Sequence, residues 1–399
     1  MPATVRNDVL YYKGSNFFRQ RLLLSTLSGR TIKIEEIRSS HDEPGLKEFE
    51  VNLIRLLDKV TNGTRVELSE TGTSLYFQPG ILIGGQVNHD CCTRRSIGYY
   101  LEMLLALGPF CKEPLNAVLK GVTHNDVDVS VDKVKTAALP ILLKFILVDD
   151  GLELKIVRRG APPLGGGEIV FKCPVRRHLR PLHCTKWGLV KRIRGVVYAL
   201  RVSPTMANRV VDAAKGVMLK FIPDVYINTD QCRGANAGKS PGYGISLVAE
   251  TNDKTFYCAE AVSFIIYLDT KTFIIILIAQ SILANLILSS NSDFSSLHLT
   301  TTLYNAIKCT VPSVSLYRVY TVYIIYYTYL GIYLFIGPLS GYTISFLQHL
   351  KDFFGVMFKL DIDSASDDGN SDDETEGISQ KVTMTCVGIG YVNMGKRTL

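Results

Sequence analysis

The chain lacks a disulfide framework. Its nine cysteines are odd in number, scattered, and never fall in a C-x-x-C spacing, so they read as free thiols of a reducing compartment, cytosol or nucleus. The nearest approach to a metal set, Cys173, His178, His183 and Cys184, fits no zinc-knuckle spacing, and no metal is expected. No apolar core follows a basic start within Met1 to Arg21, which argues against a secretory signal. Positive charge is absent from 361–376, where Asp361, Asp363, Asp367, Asp368, Asp372, Asp373, Glu374 and Glu376 stand without a single Lys or Arg. Charge of either sign is scarce from Val262 to Ile336, where glycine occurs once, at Gly331.

What is present is basic. The net charge is +7 over 399 residues, and +15 once those eight carboxylates are set aside. Such a balance points to a polyanionic partner, because each Lys or Arg placed on a phosphate releases a counterion. The candidate contacts to RNA phosphate, or to an acidic protein strip, are Arg19, Arg21, Arg94, Arg95, Arg158, Arg159, Arg176, Arg177, Lys191, Arg192 and Arg194, with the backbone of Gly165, Gly166 and Gly167. The plainer alternative is a solvated basic face.

Helical and strand periods alternate from Tyr11 to Leu182. Apolar spacing predicts helices over Phe18 to Leu27, Phe49 to Val60, Ile97 to Leu107 and Asp132 to Phe145. Strands are predicted over Thr31 to Ile37, Arg65 to Phe77 (a pair), Leu115 to Leu119 and Leu152 to Val157. The recurring helix–strand–basic–glycine unit argues for an α+β or α/β architecture: tandem repeats of helices on one side of mixed sheets. The chain divides into tandem α/β units over 1–184, a separate small α/β unit over 185–261, and globular sequence that resumes over 337–399. The acidic loop 361–376 within it reads as disordered.

Between them, 262–336 is anomalous. It holds nine of the 20 tyrosines and two apolar runs, Thr272 to Leu288 and Val319 to Ile336, near the ~20 residues that cross a bilayer. A bilayer anchor would have to leave one core and return to it. The abrupt edges and the excess of Ile, Tyr, Phe, Leu, Ser and Thr favour translated non-coding sequence in a gene model over a divergent buried core, and no genuine membrane segment is expected.

The most specific segment is Arg159-Gly160-Ala161-Pro162-Pro163-Leu164-Gly165-Gly166-Gly167-Glu168-Ile169. Prolines fix φ and remove donors, while the glycines allow close backbone approach, a combination that either cradles phosphate or makes a tight turn. A second glycine segment, Gly234 to Ser240, is not a phosphate-binding P-loop: Arg233 stands where glycine is needed, and Pro241-Gly242 breaks the helix that should follow. The first segment resembles the signature of the RNA 3′-terminal phosphate cyclases and their cyclase-like relatives. Similar matches are Arg21 to Arg30, Thr71 to Thr73 with Phe77 to Gly80, Gly238 to Gly244, Gly337 to Ser340 and Cys386 to Gly390. The resemblance implies three repeats of two helices on a four-stranded sheet, with a small α/β domain inserted before the third.

Departures from that family point to its non-catalytic branch. Where active cyclases carry an acidic residue and a glycine run before Gln and Arg, this chain has Tyr12-Lys13-Gly14-Ser15-Asn16-Phe17-Phe18-Arg19, retaining only Gly14 and Arg19. Phe49-Glu50 stands in place of a Gln-His pair. His298, the one histidine in 262–336, lacks the context of the histidine that carries AMP, and nucleophilic transfer needs a positioned imidazole. No catalytic residue, cofactor or metal is therefore expected. The resemblance implies a nuclear, nucleolar assembly factor that supports precursor-rRNA cleavage for the small ribosomal subunit, working with a ribosome-assembly GTPase and the small-subunit pre-ribosome. The alternative is an RNA-processing enzyme, a precursor-rRNA endonuclease or a 3′-phosphate cyclase.

Overall fold

A computed structural model describes residues 4–6, 9–146, 150–180, 183–184, 188–263, 332–336, 341–363, 381–390 and 393. Most of 262–336 and of the acidic loop 361–376 lies outside the described residues.

Alternating apolar positions build the first sheet. β1 (Thr4–Arg6) flanks β2 (Val9–Lys13), then α1 (Phe18–Ser28), β3 (Ile32–Glu35), α2 (Glu48–Val60), β4 (Thr61–Asn62), β5 (Arg65–Leu68), β6 (Leu75–Gln78) and β7 (Ile81–Leu82) follow. The sheet order is β1-β2-β3-β6-β5, with β2 parallel to β3 and the remaining pairs antiparallel. β4 and β7 form a short separate ribbon. α1 stops at Gly29, whose φ of 72° forms a left-handed cap accepting no steric penalty.

The second unit repeats the plan with β8 (Gly84–Asp90), α3 (Ile97–Leu107), β9 (Glu113–Gly121), α4 (Val131–Lys133), α5 (Leu139–Ile146), β10 (Glu153–Arg158) and β11 (Gly167–Cys173). Ser96 caps α3 by accepting the Gly98 N–H at 3.1 Å. α4 and α5 are joined through a π segment, Val134–Ala138. Pro140 explains it: the ring nitrogen cannot donate to the carbonyl four residues back, and the helix widens ahead of it. The sheet runs β10-β11-β9-β8, with β8 and β9 parallel.

β12 (His183–Cys184), β17 (Ile332–Ile336), α7 (Gly341–Phe354), β18 (Phe358–Asp363) and β19 (Lys381–Cys386) make a third sheet, ordered β12-β17-β19-β18, again with its first two strands parallel. With the flanking β1 set aside, all three sheets thus place four strands in the order first, second, fourth, third. Two boundaries differ from the sequence reading. The third sheet begins at His183, ahead of the expected break at 184/185, so the insert falls after that sheet's first strand. Ile332–Ile336, the last residues of the anomalous segment, is a central strand, which composition hid because a buried strand and an apolar run look alike.

The insert contributes β13 (Val190–Leu200), α6 (Pro204–Met218), β14 (Val225–Cys232), β15 (Gly242–Thr251) and β16 (Phe256–Ser263), with sheet order β14-β13-β15-β16. Its core, including Val197, Val210, Ile227 and Leu247, is its own. The three repeating units instead share one core in which Leu22, Leu53, Tyr100, Phe145 and Phe346 belong to a single cluster. Each fully buried side chain of that size contributes roughly 1.5–3 kcal/mol. Among the described residues, no helix is long and apolar enough to cross a membrane.

Candidate functional site

The glycine-rich segment lies where the second unit meets the insert. Arg159, at the end of β10, is buried, and its guanidinium forks onto Asp132 (Nη1 to Oδ2 2.6 Å, Nη2 to Oδ1 3.1 Å) while Nε donates to Asp230 of β14 at 2.6 Å. Asp132 also takes His124 Nε2 at 2.6 Å, and His124 Nδ1 lies 2.9 Å from Thr123 Oγ1. The Tyr198 ring covers this network, 4.3 Å from the imidazole and 5.3 Å from the guanidinium carbon. Burial alone would raise the Asp132 pKa, but the Arg159 charge, then His124, outweigh it and hold the carboxyl well below the ordinary range.

Thr123, His124 and Asp132 have the bonding order of a nucleophile–base–acid relay, yet they cannot act as one. All three are buried, and the Thr123 hydroxyl is held between the Gly160 N–H (3.1 Å) and C=O (3.0 Å). No substrate carbonyl or phosphate can reach that oxygen.

The glycines are spent on protein backbone. Lys239 N–H donates to Gly165 C=O at 3.0 Å, Arg159 N–H to Asn236 C=O at 3.3 Å, and Leu164 N–H to Ser240 Oγ at 3.2 Å. A Cβ on Gly238 would lie 2.7 Å from both the Arg159 and Gly165 oxygens, and one on Gly166 would meet Lys239. The two glycine segments read separately in the sequence therefore dock on each other. Beside them, Ser130 Oγ donates to Glu260 of β16.

This arrangement corrects part of the expected contact set. Arg159 is an internal clasp, and the space expected for phosphate beside Gly165, Gly166 and Gly167 is filled by 238–240. Arg21 is buried, donating to the Gly14 and Lys13 carbonyls and lying over the Tyr12 ring at 4.5 Å. Arg19 is largely buried, ion-paired to Glu102 and donating to Tyr99 C=O at 3.0 Å. Each of these guanidiniums is desolvated and held on protein acceptors, which sets it apart from a solvent-facing phosphate contact. Arg95 pairs with Asp128 and lies 4.3 Å from the Tyr99 ring, beside Arg19 at 4.7 Å. Arg158 pairs with Glu168, Arg192 with Glu250 and Arg194 with Asp224, all partly exposed. Arg176 is half-buried, while Arg94, Arg177 and Lys191 are exposed. No group of three potential metal ligands occurs among the described residues.

The loop from Tyr12 to Arg19 is packed shut. Tyr12 meets His349 edge-on at 5.1 Å and Phe353 at 5.9 Å, while Phe17 stacks on Tyr342 at 4.5 Å and meets His349 at 5.0 Å. α7 of the third unit thus lies against the first unit through rings. Glu50 is equally occupied, accepting the Lys47 N–H at 2.8 Å and two Arg38 bonds at 2.8 and 2.7 Å. Sequence reasoning missed Asp230 and His349, whose partners lie far away in the chain, and also His124 and Asp132, which sit eight residues apart in no recognised motif.

The family model for RNA 3′-terminal phosphate cyclase aligns with residues 10–360. The chain belongs to the RNA 3′-terminal phosphate cyclase family. A probable RNA 3′-terminal phosphate cyclase-like protein of Drosophila melanogaster is 50% identical over 405 residues, covering 100% of both chains. The human RNA 3′-terminal phosphate cyclase-like protein is 48% identical, covering 97% of each. A Schizosaccharomyces pombe relative called rRNA processing protein rcl1 is 49% identical over 250 residues, 62% of this chain and 69% of that one.

Proposed function

We propose that this protein is a non-catalytic member of its family that acts in rRNA processing, in the nucleolus, as an assembly factor for the small ribosomal subunit. It would work alongside an assembly GTPase and the precursor rRNA. The observation that carries the reading is the closed loop at Tyr12 and Phe17. A site for nucleotide phosphates needs open backbone donors, and here two aromatic side chains seal the equivalent stretch against His349, Tyr342 and Phe353. His349 itself is buried and unable to serve as a nucleophile. The names of close relatives, cyclase-like and rRNA processing, support the same reading.

The test is incubation with radiolabelled ATP and a divalent cation, followed by denaturing electrophoresis. No covalent AMP is expected, and adenylylation of the chain would overturn the non-catalytic part. Depletion in cells is expected to lower small-subunit rRNA selectively; unchanged rRNA would overturn the processing part.

A further inference from the structure

β14 is an outer strand of the insert sheet, with no strand on its far side among the described residues. It is eight residues long, VYINTDQC, without the Lys or Pro that commonly blunts an open edge. Its one charge, Asp230, is already committed to Arg159. The Asn236 carbonyl, shortly after β14, accepts the Arg159 N–H, tying that end to the second unit, so the open stretch is Val225 to Thr229.

At the head of this stretch three large apolar side chains stand out: Leu219 is 52% exposed, Phe221 53% and Tyr226 58%. One such residue would need no explanation, but three within eight positions beside an unpaired edge mark an interaction surface. Charge follows the same side. Residues 190–240 carry nine Lys and Arg against Asp212, Asp224 and Asp230, two of which are consumed by Arg194 and Arg159. The β15–β16 half has Glu250, Asp253 and Glu260 against Lys254 alone. Lys191, Lys220 and Arg233 are exposed around the β14 half.

We propose that Val225–Thr229 is a docking edge for an extended protein segment, acidic and apolar in alternation, which adds to the insert sheet as a fifth strand. Main-chain hydrogen bonds would supply affinity, the exposed Leu219 and Phe221 would seat its apolar side chains, Tyr226 on the opposite face would cover the stems of its acidic ones, and the basic flank would select the carboxylates. Single-stranded RNA fits less well. Tyr226 is the only aromatic residue on the strand, the guanidinium next to it in register, Arg194, is held by both Asp224 oxygens at 2.7 and 3.0 Å, and Leu219 offers nothing to a base.

The test uses the full chain and three fluorescent probes: a peptide of about twelve residues alternating Val and Glu, its Val–Lys counterpart, and a uridine oligomer of similar length. The Val–Glu peptide should bind and the Val–Lys peptide should not, with new amide-exchange protection at Val225–Thr229. Phe221→Asp, and the triple change Leu219→Asp, Phe221→Asp and Tyr226→Asp, should weaken binding by about tenfold or more. These side chains are more than half exposed, so folding should survive; if the triple variant unfolds, Phe221→Asp and the exchange map decide. Absent peptide binding, protection elsewhere, unchanged affinity in Phe221→Asp, or uridine protecting Val225–Thr229 in the peptide's place would each overturn the proposal.

Discussion

Two junctions hold this molecule's parts against one another, and they are built from opposite materials. The second unit grips the insert through buried charge: Arg159 between Asp132 and Asp230, with glycine backbone pressed on glycine backbone. The first unit receives α7 through rings, with Tyr12 and Phe17 against His349, Tyr342 and Phe353. In the charged junction every guanidinium nitrogen has an acceptor. In the aromatic one both His349 ring nitrogens and Arg21 Nε lack a hydrogen-bond partner. Directional bonds fix one orientation of the insert and punish any change, whereas ring packing tolerates substitution but leaves polar atoms exposed to titration.

The largest effect should come from breaking the clasp. Arg159→Ala leaves Asp132 desolvated without its main counter-charge, and a loss of about 3–5 kcal/mol is expected. Urea unfolding followed by exchange at β13–β16 should show the insert loosening first. Uniform loss across all units would refute the clasp as a local device. Gly238→Ala should follow at roughly 2–4 kcal/mol. Its φ is +63°, and the added Cβ meets backbone oxygens on two sides that cannot move without separating the insert.

Acid should tell the junctions apart. Burial lowers His349 to about 3, with Arg21 pushing the same way, and the rings packed on it, Tyr12 and Phe17, offer the imidazolium no carboxylate. A depressed folded value means the stabilisation is complete above the unfolded value near 6.5 and declines as pH falls towards 3. Between pH 6.5 and 4.5 the loss should be roughly 2–3 kcal/mol. Asp132 is also depressed, so its contribution is intact above about 3.9 and falls only below that. At pH 4.5, then, α7 should exchange faster while the insert stays protected. His349→Phe should remove the decline; the same decline in that variant would assign it to other groups.

Much of the fold was legible because helices announce themselves by period. Ile97–Leu107 was read to the residue, and Phe18 and Val60 marked true helix ends. β8 and β11 were not read, since Gly84–Asp90 opens on two glycines and Gly167–Cys173 carries its apolar residues, Ile169 to Phe171, as one short run. The family could be read from Arg159 to Ile169, but what that segment does could not. An arginine beside glycines looks the same whether a phosphate or a second glycine loop will fill the space. Which of the two it is depends on Asp132, Asp230 and Lys239, and nothing in their spacing joins them. Phe49 and Glu50 stood out in the sequence only as departures from a resembled motif, while the role of Glu50, a helix cap tied to Arg38, needed the geometry.

The smallest effect on stability should come from the arginines and lysine that remain outside. Arg94 has only Glu48 at 3.7 Å, with both side chains 68% exposed, and such a pair contributes almost nothing to folding. Arg94→Ala, Arg177→Ala and Lys191→Ala should leave the unfolding midpoint in place. Any of them that meets a phosphate should weaken RNA binding and lower the slope of log K against log salt by about one. Arg159→Lys supplies the contrast: it keeps the charge but loses the fork, so it should cost stability while leaving that slope untouched. If Arg159→Lys changed the slope and the exposed variants did not, RNA would have to reach the junction, and the clasp would have to open to let it in.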